Sequence, residues 1–317
     1  MLLDALLEKR LLFLSGKGGV GKSVVGLALA LAARDRGMRV LLAEIGAPLE
    51  AARHLGAPPS GPRESEVLPR LFTVNLDPTA VMDEYVRHVV KIDLLARRIL
   101  ESPIYHRFFA AAPGLKELMT LGKLMVLEEA RERWSHKPRY DLIVVDAPAT
   151  GHGLSLLKVP VAASAAVPVG PIGSNARRIL ALLRDKKKTG LVIVTIPEEM
   201  AVVEAVQFHN LAVEDVGIEA DAVVLNAAYE RRFSPTEEAQ ILRLAAEGAT
   251  GQIERGIPLG GALRAARRQL RRAKLTRFYV TRLERSLPLP IVSLPYLFRE
   301  ELGPDDMREL AAQLSAA

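Results

Sequence analysis

Residues 16–23 read Gly16-Lys17-Gly18-Gly19-Val20-Gly21-Lys22-Ser23. The octet fits the pattern G-x-x-x-x-G-K-[ST], in which glycines let backbone N–H groups turn inward around phosphate oxygens. In that pattern Lys22 is spaced to reach the terminal phosphates, and the Ser23 hydroxyl to bind Mg²⁺. An apolar run at 11–14 precedes the loop and an apolar helical pattern at 23–33 follows it. This strand–loop–helix context predicts a nucleotide-phosphate site supported by the positive end of the helix dipole.

Composition narrows the class of protein. The 317 residues contain no low-complexity linker, so we expect one α/β domain over residues 1–317. Cysteine is absent, which excludes disulfides and thiolate metal sites. No run approaches the roughly 18 apolar residues of a spanning helix, and the first ten residues do not resemble a signal peptide. We therefore expect a soluble, cytoplasmic protein that is not an integral membrane protein.

Further apolar runs predict the other strands of a parallel sheet. They lie at 39–45, 140–146, 191–196, 222–225 and 290–294. Alternation of such runs with helical stretches predicts a doubly wound, mostly parallel α/β sheet of about seven or eight strands, a P-loop NTPase.

A carboxylate stands at or near the end of two of these runs, Glu44 in the run 39–45 and Asp146 in the run 140–146. Open α/β sheets bind ligands at the carboxyl ends of their strands. Asp146 is therefore expected opposite Ser23, where it would bind Mg²⁺ through water.

The loop sequence GKGGVGKS resembles the deviant Walker A motif of the dimeric ATPases that include MinD, ParA, nitrogenase iron protein and the arsenical-pump ATPase. In that group the early lysine, here Lys17, reaches the nucleotide of the partner subunit. The resemblance therefore implies a dimer that closes over two ATP molecules with Lys17 acting in trans. The alternative for Lys17 is a solvated surface lysine.

Residues 146–154, Asp146-Ala-Pro-Ala-Thr-Gly-His-Gly-Leu154, are similar to the D-T-A-P-T-G-H-T-L switch of the arsenical-pump and tail-anchored-protein targeting ATPases. This similarity favours that family over MinD and ParA. Thr150 or His152 would sense the terminal phosphate, and Gly151 and Gly153 would give the switch its freedom. The missing cysteines disfavour arsenite export.

The chain departs from the family at Gly46. Relatives carry two acidic residues after the second strand; Glu44 matches the first, and Gly46 falls on the second. Glycine has no side chain to orient water, so inefficient hydrolysis is expected unless Glu44 takes this role. Glu44 is thus a candidate catalytic residue with Lys17, Lys22 and Asp146, or else it acts indirectly on Mg²⁺ or phosphate.

The resemblance also implies the nucleotide contacts. Asn226 follows the run 222–225 and matches the adenine-reading residue, with a strand-capping turn residue as its alternative. The loop after the last strand would pack against adenine. The complete set of expected ATP-binding residues is Gly18, Gly19, Val20, Gly21, Lys22, Ser23, Val24, Asn226, Pro295 and Tyr296.

A helical insertion is expected at approximately 78–137. In the tail-anchored-targeting ATPases this region holds an apolar client helix, whereas core packing is the alternative and is favoured for most of its residues. Its apolar residues are Ile92, Leu94, Leu95, Ile99, Leu100, Ile104, Phe108 and Phe109, then Leu115, Leu118, Met119, Leu121, Leu124, Met125 and Leu127.

Basic residues crowd a predicted helix at 264–277, where a solvated face paired with acidic neighbours is the favoured interpretation. No aromatic residues alternate with them, so no nucleic-acid partner is expected. The resulting hypothesis is a Mg²⁺-ATP-dependent dimeric ATPase, a homodimer or a heterodimer with a paralogue, that binds and releases a hydrophobic protein client. Alternatives are a weakly hydrolysing regulatory subunit and, less favoured, a ParA-like DNA-partitioning ATPase.

Overall fold

A computed structural model describes residues 2–46, 51–90, 92–105, 107, 112, 114–133, 135–167, 169–253 and 256–316. Phe108 and Phe109, two of the apolar residues of the expected insertion, lie outside these residues.

The described residues contain one large sheet and a small ribbon. The strands are β1 (Leu11–Ser15), β2 (Val40–Ile45), β3 (Ser65–Leu68), β4 (Leu71–Leu76), β5 (Leu142–Asp146), β6 (Thr189–Thr195), β7 (Ala222–Ala228), β8 (Gln252–Ile253), β9 (Ile257–Pro258) and β10 (Ile291–Pro295). Eight of them form one sheet in the order β10-β7-β6-β1-β5-β2-β4-β3. Its pairs are parallel except for the antiparallel edge pair of β3 with β4, and β8 pairs with β9 apart from the sheet.

Helices cover both faces of the sheet. They are α1 (Leu2–Leu7), α2 (Lys22–Asp35), α3 (Ala51–His54), α4 (Pro78–Val89), α5 (Asp93–Leu100), α6 (Leu115–Glu129), α7 (Thr150–Ala166), α8 (Pro171–Arg184), α9 (Glu199–Leu211), α10 (Pro235–Ala246), α11 (Leu259–Ser286) and α12 (Pro304–Ala316). One apolar core joins the sheet to α6, α7, α8 and α9, and a second joins it to α1, α2 and α12. The predicted doubly wound α/β fold is confirmed.

Strand β1 lies at the centre of the sheet, between β5 and β6, and every one of its residues is buried. A strand covered by helices on both faces needs apolar residues at successive positions rather than at alternate ones. The run Leu11 to Leu14 meets this need, and it sets the loop that follows at the centre of the carboxyl edge.

Two features differ from the sequence expectation. Strands β3 and β4 were not predicted, and the helical stretch ends at Glu129 instead of near 137, because Ala130 is extended and Arg131 forms a bridge with Pro138. The division into one domain with an insertion stays a prediction. In the part of the chain that the structure describes, no helix is long and apolar enough to cross a membrane.

Candidate nucleotide site

The loop 16–21 is packed tightly against two neighbouring strands. A Cβ atom on Gly16 would overlap the carbonyl oxygen of Val194 in β6, and one on Gly21 would overlap the Asn226 side chain of β7. Gly21 also has φ 84°, which favours glycine. The two glycines are therefore required by the close approach of the loop to the sheet.

Lys22 curls back over the loop. Its Nζ donates to the carbonyl oxygens of Gly16 at 3.1 Å and Lys17 at 3.2 Å. Burial lowers the pKa of the Lys22 ammonium, while the charge of Asp146 opposes the shift. The Lys22 side chain thus lies across the loop, and its ammonium group stands where phosphate oxygens would bind.

Ser23 and Asp146 meet across the start of α2 and the end of β5. The Ser23 Oγ donates to Asp146 Oδ2 at 2.5 Å. Glu44 in β2 is in register with Asp146 in the parallel pair β2–β5. Glu44 is buried, and its Oε1 accepts a 3.4 Å hydrogen bond from the N–H of Ala51. One hydroxyl and two carboxylates therefore gather at this edge.

This donor set fits Mg²⁺ bound together with a nucleotide. Mg²⁺ keeps several waters and takes one or two protein oxygens plus substrate phosphates. Among the described residues, no group of three or more His, Cys, Asp or Glu is placed to hold a metal ion. Ser23 and Asp146 would supply the protein side of such a site, and phosphates the remainder.

A cleft of about 700 Å³ extends from the loop to the ends of β7 and β10. Asn226 closes one side, and its Nδ2 donates to the Val20 carbonyl oxygen at 2.9 Å. The predicted nucleotide residues that line it are Gly19, Val20, Gly21, Val24, Asn226, Pro295 and Tyr296. Gly18 of the loop, and Lys22 and Ser23 at the start of α2, are not among its lining residues. The structure thus brings the predicted residues to one edge of the sheet; their roles as ATP contacts stay predictions.

Lys17 points to another helix. Its Nζ lies 2.8 Å from Glu204 Oε1 on α9. The second oxygen of that carboxylate accepts a 3.1 Å hydrogen bond from Thr150 Oγ1, at the start of α7. The Lys17 hydrogen bond lowers the pKa of Glu204, burial opposes this shift, and Thr150 adds to it.

The switch glycines have different environments. A Cβ on Gly153 would lie 2.9 Å from both the Pro148 carbonyl oxygen and Ser15 Oγ, whereas Gly151 has no such neighbour within 4 Å. Gly153 is therefore required by the close packing of α7 on β1. The conformational freedom expected of the two glycines stays a prediction. His152 is exposed.

Sequence reasoning missed the arginines of the cleft. Arg268, Arg271 and Arg272 on α11 line it, although a solvated face paired with acidic neighbours was favoured. Of the basic residues at 264–277, Lys274 is the one with an ion pair among the described residues, to Glu238. The i, i+3, i+4 spacing of the three arginines was the available signal, since it places them on one helix face.

Comparison with known proteins finds relatives among ATPases. The family described as anion-transporting ATPase matches residues 9–169, a range that contains the loop and Asp146. ATPase BagA of Mycobacterium tuberculosis is 29% identical over 245 residues, which cover 75% of this chain and 70% of that protein.

Two arsenical-pump relatives are longer proteins. An arsenical pump-driving ATPase of Escherichia coli is 28% identical over 255 residues, 78% of this chain and 39% of that protein. A putative arsenical pump-driving ATPase of Halobacterium salinarum is 22% identical over 334 residues, 97% of this chain and 45% of that protein. This chain thus spans less than half the length of both. With the loop, Asp146 and the parallel sheet in place, these matches lead to one conclusion: the chain belongs to the anion-transporting (ArsA) ATPase family.

Proposed function

We propose that this chain is a Mg²⁺-ATP-dependent ATPase that acts in the cytoplasm as a dimeric switch, with residues 1–317 forming one domain and approximately 78–137 its helical insertion. The proposal that the chain binds Mg²⁺-ATP rests on the contact between Ser23 Oγ and Asp146 Oδ2 beside the glycine loop. This is the arrangement in which a P-loop ATPase binds Mg²⁺ and terminal phosphates.

The roles of the residues follow from their positions. Lys22 lies across the loop, so its ammonium would neutralise the oxygens of the terminal phosphate. Bound Mg²⁺ would draw negative charge from the transferred phosphoryl group. Glu44 neighbours Asp146 and would orient or deprotonate the attacking water.

The proposal of a dimer rests on Lys17. Its charge is already balanced by Glu204 within the single chain, and 35% of its side chain is exposed. A lysine redundant with Lys22 for its own nucleotide, yet accessible, suits a role on the nucleotide of a second subunit. The partner would be a second copy or a paralogous ATPase.

An apolar surface supports a hydrophobic client. Ile92, Leu94 and Ile104, around α5, are 64%, 79% and 77% exposed. By contrast Leu118, Leu121, Leu124, Met125 and Leu127 of α6 are buried in the core. Exposed apolar side chains often mark interaction sites, so the client would dock on the segment 92–104, which contains α5, rather than on α6.

Gly46 favours a second candidate, a regulatory subunit that binds ATP and hydrolyses it slowly. Its φ of 87° turns the chain directly after β2, with no side chain directed at the site. A paralogous subunit would then supply the carboxylate that positions water.

The test measures ATP binding by calorimetry and phosphate release with Mg²⁺. Lys22→Ala should weaken ATP binding by about 2 kcal/mol, as expected for a lost charged contact. Lys187→Ala, at an exposed lysine in the α8–β6 connection, is the matched control. Equal ATP affinity in both variants would reject the site.

A further inference from the structure

The helix α11 concentrates the positive charge of the protein. Its 28 residues carry nine arginines and lysines and one glutamate, whereas the whole chain has a formal net charge of +6. Such a helix repels itself unless anions neutralise it. The faces of the helix therefore differ in which anionic groups lie beside them.

One face of α11 lines the nucleotide cleft. Arg268, Arg271 and Arg272 stand on it together with Leu275, at the spacing i, i+3, i+4, i+7. Among the described residues lining the cleft, the one carboxylate is that of Glu198, and the remaining cation, Arg299, is paired with Asp306. The cleft thus presents an excess of positive charge from α11.

The arginine face is held in place by the chain that follows β7. Tyr229 N–H donates to Thr276 Oγ1 at 3.0 Å, and Arg272 Nη1 donates to Tyr229 Oη at 2.6 Å. The Tyr229 ring stacks on Tyr296, with centroids 4.9 Å apart and an interplanar angle of 13°. A positioned guanidinium beside a rigid aromatic pair is the geometry of a preorganised binding site.

Arg268 and Arg271 are exposed, and within the described residues neither makes an ion pair or a side-chain hydrogen bond. Each guanidinium offers five N–H donors that match phosphate oxygens bidentately. Their donors are therefore available to a ligand in the cleft.

These arginines share the cleft with Gly19, Val20 and Gly21 of the phosphate loop but not with its lysines. The loop lysines, Lys17 and Lys22, are not among the residues lining the cleft. The arginines also share it with Asn226 and Tyr296 at the ends of β7 and β10, where the nucleoside is expected. Arg272 bonds to Tyr229, whose ring stacks on Tyr296, so the arginine face lies beside the expected nucleoside end of the cleft.

We propose that Arg268, Arg271 and Arg272 form a second anion subsite, which takes a phosphate on the ribose of an adenine nucleotide bound in the cleft. The cleft volume of about 700 Å³ is in the range of small-ligand pockets, which favours a nucleotide phosphate over a macromolecular surface. The inference rests on the proposed nucleotide function.

The experiment compares four ligands by calorimetry: adenosine 5′-monophosphate, adenosine 2′,5′-bisphosphate, adenosine 3′,5′-bisphosphate and ADP. ADP and the two bisphosphates each carry two phosphates. In ADP both are on the 5′ side, whereas in the bisphosphates the second is on the ribose 2′ or 3′ oxygen. One ribose bisphosphate should bind about tenfold more tightly than the monophosphate, and this gain should shrink as salt rises.

The variant Arg268→Gln/Arg271→Gln should lose that gain, and its loss of affinity for ADP should be smaller than its loss for the ribose bisphosphate. Arg264→Gln/Arg267→Gln removes the same charge from the same helix outside the cleft lining, and it should retain the gain. A ribose phosphate that adds no affinity in the native protein would overturn the subsite. Equal losses for ADP and the bisphosphate in the Arg268/Arg271 variant would also overturn it.

The same measurements distinguish a wrong nucleotide site from a wrong second subsite. If ADP does not bind, or if Lys22→Ala leaves ADP binding unchanged, the nucleotide site itself is rejected. If ADP binds through Lys22 but neither bisphosphate exceeds the monophosphate, the second subsite alone is rejected.

Discussion

Lys17 Nζ lies 2.8 Å from Glu204 Oε1, and the other oxygen of that carboxylate accepts a hydrogen bond from Thr150. One side chain on α9 therefore ties the phosphate loop to the first residue of α7. The Lys17 hydrogen bond lowers the pKa of Glu204, so the carboxylate is ionised at neutral pH. The ionised Glu204 therefore stabilises the folded protein at pH values above its unfolded-state pKa. This stabilisation is lost as pH falls through the lowered pKa of Glu204 in the folded state.

Glu204→Gln should increase ATP-dependent dimerisation. The amide can still bond to Thr150 but no longer neutralises Lys17, so Lys17 becomes available to a partner nucleotide. Sedimentation velocity with ATP should show a larger dimer fraction, and the increase should vanish when Lys17→Ala is added. Glu199→Gln, on the same helix, is the control. An unchanged dimer fraction in Glu204→Gln would show that the contact does not restrain Lys17.

Gly16→Ala should destabilise the fold by about 1–3 kcal/mol, the usual cost of overpacking, because its Cβ would overlap the Val194 carbonyl oxygen. Gly18→Ala is the matched control in the same loop, since its Cβ would have its nearest neighbour, Ala149 Cβ, at 4.0 Å. Denaturant unfolding without nucleotide measures both. Equal stabilities would mean that the loop does not press against β6.

Nucleotide affinity should fall in the alkaline range. Burial lowers the pKa of Lys22, whereas bound phosphates would raise it, so binding takes up a proton as pH rises through the lowered value. Calorimetry in buffers of different ionisation enthalpy detects that uptake. Lys22→Arg stays charged and should show none. An affinity that is constant with pH while the protein remains folded would argue against a phosphate contact by Lys22.

Turnover of the purified chain should be slow, and Gly46→Asp should raise it. The φ of 87° at Gly46 is one that aspartate tolerates better than most residues, and a Cβ there meets no atom of the described residues within 4 Å. The new carboxylate would stand at the position expected to orient water, whereas Gly46→Asn lacks the charge and serves as control. Brisk native activity that Glu44→Gln abolishes would instead assign Glu44 as the base.

The sheet was predictable where strands are buried on both faces. β1, β5 and β6 are continuous apolar runs, because they lie at the centre of the sheet. β4 was missed because Thr73 and Asn75 interrupt its apolar residues, although its β-branched and aromatic composition between Pro69 and Pro78 was a usable signal. The edge strand β3 has two exposed and two half-buried residues, so hydrophobicity does not mark it.

The site was predictable where one motif contains both the geometry and the chemistry, as in 16–23. Contacts between distant parts of the chain were less accessible. The bond from Asn226 to Val20 joins residues 206 apart, and the sequence gives no spacing rule for it. The Lys17–Glu204 pair and the arginine face of α11 likewise depend on how α9 and α11 pack against the sheet.

The central position of β1 also bears on when the protein acquires its ligand during synthesis. The loop 16–23 is synthesised before the other parts of its site, because Asp146 is 123 residues beyond Ser23 and Asn226 is 206 beyond Val20. Long-range parallel pairing also forms slowly, so a nascent chain carries the phosphate loop before Asp146 and Asn226 can complete the site. ATP, which stabilises by mass action only a state that binds it, would then favour chains in which Asp146 and Asn226 have joined the loop.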